Sequence, residues 1–221
     1  MTAPKPARRR PALPARRVLT ALTAAALLVV SGFAGPAVAE PPAPPDAETA
    51  LAHLAELTVA DPMPEDGYSR DEFPTWSEQG DSCDTREMVL QRDGTDVQVG
   101  SDCYPTSGSW FSVYDETTTS EPSEATVDHM VPLKNAWISG AQDWTIDERE
   151  TFANDLEHAQ LIIASQSSNS SKGDSDPSEW KPENTDYWCV YSRSWVDVKY
   201  VYDLTVTDAE KGALEEMLAT C

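Results

Sequence analysis

The sequence predicts an α+β domain with an N-terminal β-hairpin, flanking helices and two disulfides. Short β-branched runs, Val97-Gln98-Val99 and Leu161-Ile162-Ile163-Ala164, lie between stretches of helical periodicity. The chain has four cysteines, an even number. With residues 1–39 set aside as a leader, 182 of the 221 residues remain, enough for one sizeable core.

The leader is legible residue by residue. Lys5, Arg8, Arg9, Arg10, Arg16 and Arg17 form a basic start, Val18 to Ala34 an apolar run, and Ala37-Val38-Ala39 a small-residue cleavage site. The apolar run is short for a membrane anchor and is broken by Thr20, Thr23, Ser31 and Gly32. Residues 1–39 therefore read as a secretory signal, and the mature chain as a secreted, monomeric protein with no stable membrane association.

Removing the signal sharpens the charge. It carries six of the 16 basic residues and none of the 38 acidic ones, so 10 against 38 remain, a net charge of −28. That balance keeps the chain soluble and excludes a tight, sequence-specific DNA binder built on a broad basic footprint.

Residues 40–62 form a proline-rich spacer, Pro41-Pro42-Ala43-Pro44-Pro45, and a helix from Asp46 to about Val59. Ala50, Leu51, Leu54 and Leu57 share its apolar face. His53 on that helix reads as a packing residue. The main domain spans 63–221. Met88-Val89-Leu90 and Val97-Gln98-Val99 flank Asp93-Gly94, a hairpin signal. Folding there sets Cys83 opposite Cys103. At the far end Tyr191, Trp195, Val198 and Tyr202 repeat with helical spacing. Thr207-Asp208-Ala209-Glu210 fits a capping box opening a second helix with Ala213, Leu214, Met217 and Leu218 inward. An antiparallel pair returns Cys221 to Cys189. No Cys-x-x-Cys occurs, which argues against a thiolate zinc site.

Between these ends, Ser107 to Asp115 alternates as a strand with Trp110, Ser112 and Tyr114 on one face. Lys134 to Gly140 and Asp143 to Leu156 read as helices, the second with Phe152 and Leu156 inward. The irregularly spaced tryptophans read as core rather than as a sugar platform.

The chemistry concentrates in Thr126-Val127-Asp128-His129-Met130-Val131-Pro132-Leu133 and, forty residues on, in Asn169-Ser170-Ser171-Lys172-Gly173-Asp174. A strand would carry Asp128 and His129 to its end at Pro132, and a second strand at Leu161–Ala164 would lead into a polar turn bearing Asn169. Neutral imidazole can take a proton from water near physiological pH, so His129 suits a general base. One carboxylate and one amide, Asp128 and Asn169, are hard oxygen ligands that leave positions for water and phosphate, as magnesium prefers. Adjacent strand residues point to opposite faces, so Asp128 and His129 can cooperate only where the strand ends or twists.

These segments resemble the HNH nuclease motif and its ββα-metal fold. More narrowly, Gly67-Tyr68-Ser69-Arg70, Cys83-Asp84-Thr85-Arg86, Lys134-Asn135-Ala136-Trp137, Phe152-Ala153-Asn154-Asp155-Leu156 and Ser171-Lys172-Gly173-Asp174 are similar to a secreted bacterial HNH endonuclease family. The resemblance implies a ββα core, a nucleic-acid substrate (DNA, or alternatively RNA), and cleavage with little sequence preference. It also implies one divalent cation, magnesium, with manganese, calcium or zinc as alternatives. It assigns His129 as base, with Asp128 and Asn169 on the cation. The motif's middle position, nine residues before Asn169, is Gln160, with Asn154 the competing residue for orienting His129. Lys172 contacts phosphate or tethers its turn; Asp174 completes the metal shell through water or caps a helix. Substrate binding would lean on Lys134, Lys172 and Lys181. The competing readings are a non-enzymatic acidic binding module and a metal-dependent hydrolase of another substrate.

Overall fold

Asp46 accepts the Thr49 N–H at 2.8 Å and starts α1 (Ala47–Glu56). In this computed structural model residues 41–221 are described, together with Met1; the rest of the signal segment lies outside the described residues. α1 buries Ala50 and Leu54, and Leu57 follows them inward just past its end, whereas Leu51 stays 47% exposed. The apolar stripe is thus narrower than the sequence implied.

A short antiparallel pair, β1 (Glu78–Gly80) and β2 (Cys83–Asp84), precedes α2 (Thr85–Asp93). Here the structure corrects the sequence reading. Met88-Val89-Leu90 is helical, because Asp84 and Glu87 close a reciprocal capping box that starts a helix at Thr85. Asp93-Gly94 ends that helix. The hairpin lies one element later, between β3 (Thr95–Val99) and β4 (Pro105–Ser112), with β5 (Thr117–Thr119) on the far side of β4. Cys103 sits in the β3–β4 turn and still bonds Cys83.

The centre of the domain is β6 (Ala125–His129) paired antiparallel with β7 (Leu161–Ser165). Register runs from Ala125 opposite Ser165 to His129 opposite Leu161. Two helices, α3 (Leu133–Ile138) and α4 (Ile146–Ala153), are inserted between the strands. α5 (Gln166–Lys172) follows β7 directly, capped by Ser165. Asn169 therefore lies inside a helix rather than in the polar turn expected for it. The Ser and Asn run is a poor helix former, and what holds it is the buried face of Ser168 and Lys172.

Both faces of the β6–β7 ladder are covered. Val127, Leu161 and Ile163 join Leu90 of α2 and Trp110 of β4 in a small core. Ile162 and Ala164 face the main core, built around Tyr191, Trp195 and Phe152. That core is closed by α6 (Trp188–Val201) and α7 (Asp208–Leu218), the latter opened by the Thr207–Glu210 capping box. α1 packs onto the same core through Ala50, Leu54 and Leu57. Trp110, Trp137 and Trp195 are buried, while Trp144, Trp180 and Trp188 are half-buried and pack against the edge of the main core.

Cys189 and Cys221 join the start of α6 to the chain end beyond α7 across 32 residues. Cys221→Ser should cost roughly 2–4 kcal/mol, because the cross-link removes loop entropy from the unfolded chain. Urea melts of the two proteins under non-reducing conditions measure it; equal midpoints would show that the bond adds nothing.

Candidate active site

His129 ends β6 and shares its ladder position with Leu161. Its side chain is 6% exposed, and the Trp76 ring lies over it with centroids 5.6 Å apart and planes 22° from parallel. Nε2 is 2.9 Å from the carbonyl of Ala153, the last residue of α4. A carbonyl only accepts, so Nε2 carries the proton and donates it, and the neutral ring keeps its lone pair on Nδ1. The acceptor belongs to a helix C-terminus, where carbonyls lack intrahelical partners.

Burial lowers the His129 pKa from 6.5 to about 3, against the opposing pull of the Ala153 carbonyl. The ring is therefore neutral in the folded chain at physiological pH. The sign for stability follows. Below pH 6.5 the unfolded chain takes a proton that the folded chain refuses, so this group costs stability as pH falls from 6.5 towards about 3. Imidazole NMR should show His129 unprotonated down to pH 5; a midpoint near 6.5 would contradict the burial argument.

Asp128 points to the other face of the ladder, opposite Ile162. It is 4% exposed. Its Oδ2 accepts from the Tyr114 hydroxyl at 2.8 Å and from Lys172 Nζ at 2.8 Å. Lys172 also donates to the His129 carbonyl at 2.7 Å. Burial raises the Asp128 carboxyl and lowers the Lys172 ammonium, and each is countered by the other's charge. Lys172 thus ties α5 to the end of β6 and is fully buried, a tether rather than a surface phosphate contact.

Gln160 is buried, and its side chain makes no hydrogen bond to His129. Its amide spans the backbone of Val131, with Oε1 accepting from Val131 N and Nε2 donating to Val131 O, both at 3.0 Å. It extends the ladder past His129 and fixes the chain that leads to Pro132. The Asn154 side chain is occupied elsewhere, on Ser77 N, Pro74 O and Glu150 O. The group that orients His129 is the main-chain carbonyl just before Asn154, a contact without any side-chain signature. Asp174 is exposed just beyond α5, where its charge acts on Tyr68, Lys134 and Lys172. Lys134 is paired with Glu65 at 2.9 Å, and Lys181 with Glu216. None of the three lysines expected to grip substrate is unengaged.

A cation would find a sparse donor set. Among the described residues no three His, Cys, Asp or Glu side chains converge. Asn169 is half-buried on α5, one turn before Lys172, and its carboxamide takes no hydrogen bond from the described residues. Asp128 Oδ1 is left by both Tyr114 and Lys172, which bind Oδ2. One amide and one buried carboxylate oxygen are hard donors of the kind magnesium takes, and most of its shell would have to be water. They do not make a closed zinc cage. Two clefts of about 520 and 500 Å³ lie elsewhere, and neither is walled by Asp128, His129 or Asn169.

Residues 101–217, which include Asp128, His129, Gln160, Asn169 and Lys172, match the family described as GmrSD restriction endonucleases, C-terminal domain. The chain belongs to that family. An uncharacterized secreted protein of Arthroderma benhamiae is 54% identical over 198 residues, covering 89% of this chain and 97% of that protein. That relative is fungal, which removes the bacterial restriction from the resemblance stated above. No solved structure matches the chain. Membership in the GmrSD C-terminal-domain family gives the protein a nuclease-related role. It is a secreted protein: the Arthroderma relative is one, and two disulfides suit the oxidising space outside the cell. Trp76 and Tyr114 are the side chains at this site that sequence reasoning did not assign. Alternation placed Tyr114 on one face with Trp110 and Ser112 but not against Asp128, and nothing local marks Trp76 as the cover of a histidine.

Proposed function

We propose that the mature chain is a secreted, divalent-metal-dependent endonuclease of the HNH type, cutting phosphodiester bonds of DNA with little sequence preference. One observation carries the reading: a buried, neutral His129 whose Nε2 is held by the Ala153 carbonyl, leaving Nδ1 as the base, at the strand end that α5 and Asn169 adjoin. Nδ1 takes the proton of the attacking water. Trp76 covers one face of the ring and burial keeps it unprotonated before substrate binds, while the negative charge of a bound phosphate would favour the imidazolium that forms. Lys172 holds the His129 carbonyl and Gln160 holds Val131, so the base cannot swing with the loop that follows. Asn169 and Asp128, with Asp174 through water, would hold the cation. Magnesium, when bound, supplies positive charge for the phosphate and the leaving oxygen.

The test is incubation of the mature protein with plasmid DNA and with RNA, in magnesium or in chelator. Nicking that requires magnesium is expected. Intact DNA and RNA under every divalent ion would return the chain to the reading of an acidic binding module.

A further inference from the structure

Residues 40–221 carry 28 excess negative charges and must still approach a polyanion, so each of their cations counts. Residues 41–221 contain ten Lys and Arg. Six pair with carboxylates: Arg92 with Asp93, Lys134 with Glu65, Arg149 with Glu72, Lys172 with Asp128, Lys181 with Glu216 and Lys199 with the buried Glu210. Arg86 donates to the carbonyls of Pro122 and Ala125, and Arg193 to those of Pro44 and Pro45. Among the described residues only Arg70 and Lys211 have side chains without a partner. Lys211 lies on α7, on the helical side of the domain.

Arg70 lies on a strap, residues 67–77, that crosses the His129 end of the ladder. The strap is pinned on both sides of Arg70. Tyr68 and Phe73 pack edge-on against Trp137, at 6.0 and 6.3 Å. Arg149 holds both the Glu72 carbonyl, at 2.8 Å, and its carboxylate, at 3.1 Å. Trp76 stacks on His129, and Ser77 N donates to Asn154 at 2.9 Å. Between these anchors Arg70 is exposed, six residues before the Trp76 that covers His129 on the same pinned strap. The backbone is fixed and the guanidinium is left over.

We propose that Arg70 is the phosphate-gripping cation of this site, its planar fork taking the oxygens of a phosphodiester beside His129. The proposal rests on the endonuclease reading and adds the residue through which an acidic protein holds its substrate. An arginine matches phosphate geometry with two parallel donors where a lysine offers a point charge.

The experiment uses a short labelled oligonucleotide and fluorescence anisotropy in magnesium across a salt series. The mature protein carries His129→Ala to prevent turnover, alone or with Arg70→Ala, Arg70→Lys or Lys211→Ala. Arg70→Ala should weaken binding on the order of 10–100-fold, the worth of one charge-assisted hydrogen-bond pair. It should also make the log–log salt slope shallower by roughly 0.7–0.9. Arg70→Lys should keep the slope and recover only part of the affinity. Lys211→Ala should change neither. In the otherwise natural protein, kcat/KM should fall by a similar factor with Arg70→Ala, while the thermal midpoint stays put. Unchanged affinity and slope in Arg70→Ala would overturn the proposal while cleavage by the natural protein upheld the endonuclease reading. Arg70-dependent binding without cleavage under any divalent ion would keep the proposal and sink that reading. Absence of both binding and cleavage would sink both.

Discussion

His129→Ala is expected to lower phosphodiester cleavage by roughly 10²–10⁴-fold, the usual worth of a positioned general base. Affinity for magnesium should change little, because His129 points to the face of the ladder opposite Asp128. The fold should survive: the lost side chain leaves space beside Trp76, and it removes a group that refuses a proton in the folded state. Asn169→Ala should behave in the opposite way, weakening the cation and losing less rate when magnesium is raised. The measurement is single-turnover cleavage of a labelled duplex across a magnesium titration, alongside calorimetric titration of magnesium into each protein. Wild-type cleavage by His129→Ala would remove the base from this account. A lost magnesium isotherm in His129→Ala would place His129 among the ligands instead.

Lys172→Ala should unfold far more easily than the natural protein. It leaves the Asp128 carboxylate buried without its countercharge, and breaking a buried pair in this way costs about 3–5 kcal/mol. For a domain of this length that is roughly 6–20 °C of melting temperature. The His129 carbonyl and the Asp128 carboxylate would also lose the donor that ties α5 to β6, so cleavage should fall with stability. A double change, Asp128→Leu with Lys172→Met, removes both charges together and should recover much of the loss. Thermal melts at neutral pH decide it. If Lys172→Ala melts with the natural protein, the pair is not what holds α5 in place.

What could be read along the chain was whatever depends on near neighbours. The Asp46 cap of α1, the Thr207–Glu210 box of α7 and the alternation of β4 are local rules, and each appears in the structure. Both expected disulfide pairs are present, but Cys83–Cys103 closes across α2 and β3 and not about the Asp93-Gly94 turn from which it was expected. The failure at Met88-Val89-Leu90 has the same origin. Periodicity over three residues does not separate strand from helix. The decisive signal was the capping box at Asp84 and Glu87, just upstream.

At the candidate site the residue types were legible and their partners were not. His129, Asp128, Asn169 and Lys172 could be named from motif and spacing. That Asp128 would spend one oxygen on Lys172 and Tyr114 could not, because Tyr114 is 14 residues away and Lys172 is 44. A main-chain carbonyl has no residue identity, so Ala153 could not be seen as the orienting group of His129. By itself the sequence determined the caps and the even cysteine count, and it offered side chains able to do acid–base and metal chemistry, all set by composition and local spacing. Only the tertiary structure decided which oxygen and which nitrogen remain free, and which of ten cations is left over. Those are properties of contacts between distant segments, and burial alone makes them exclusive.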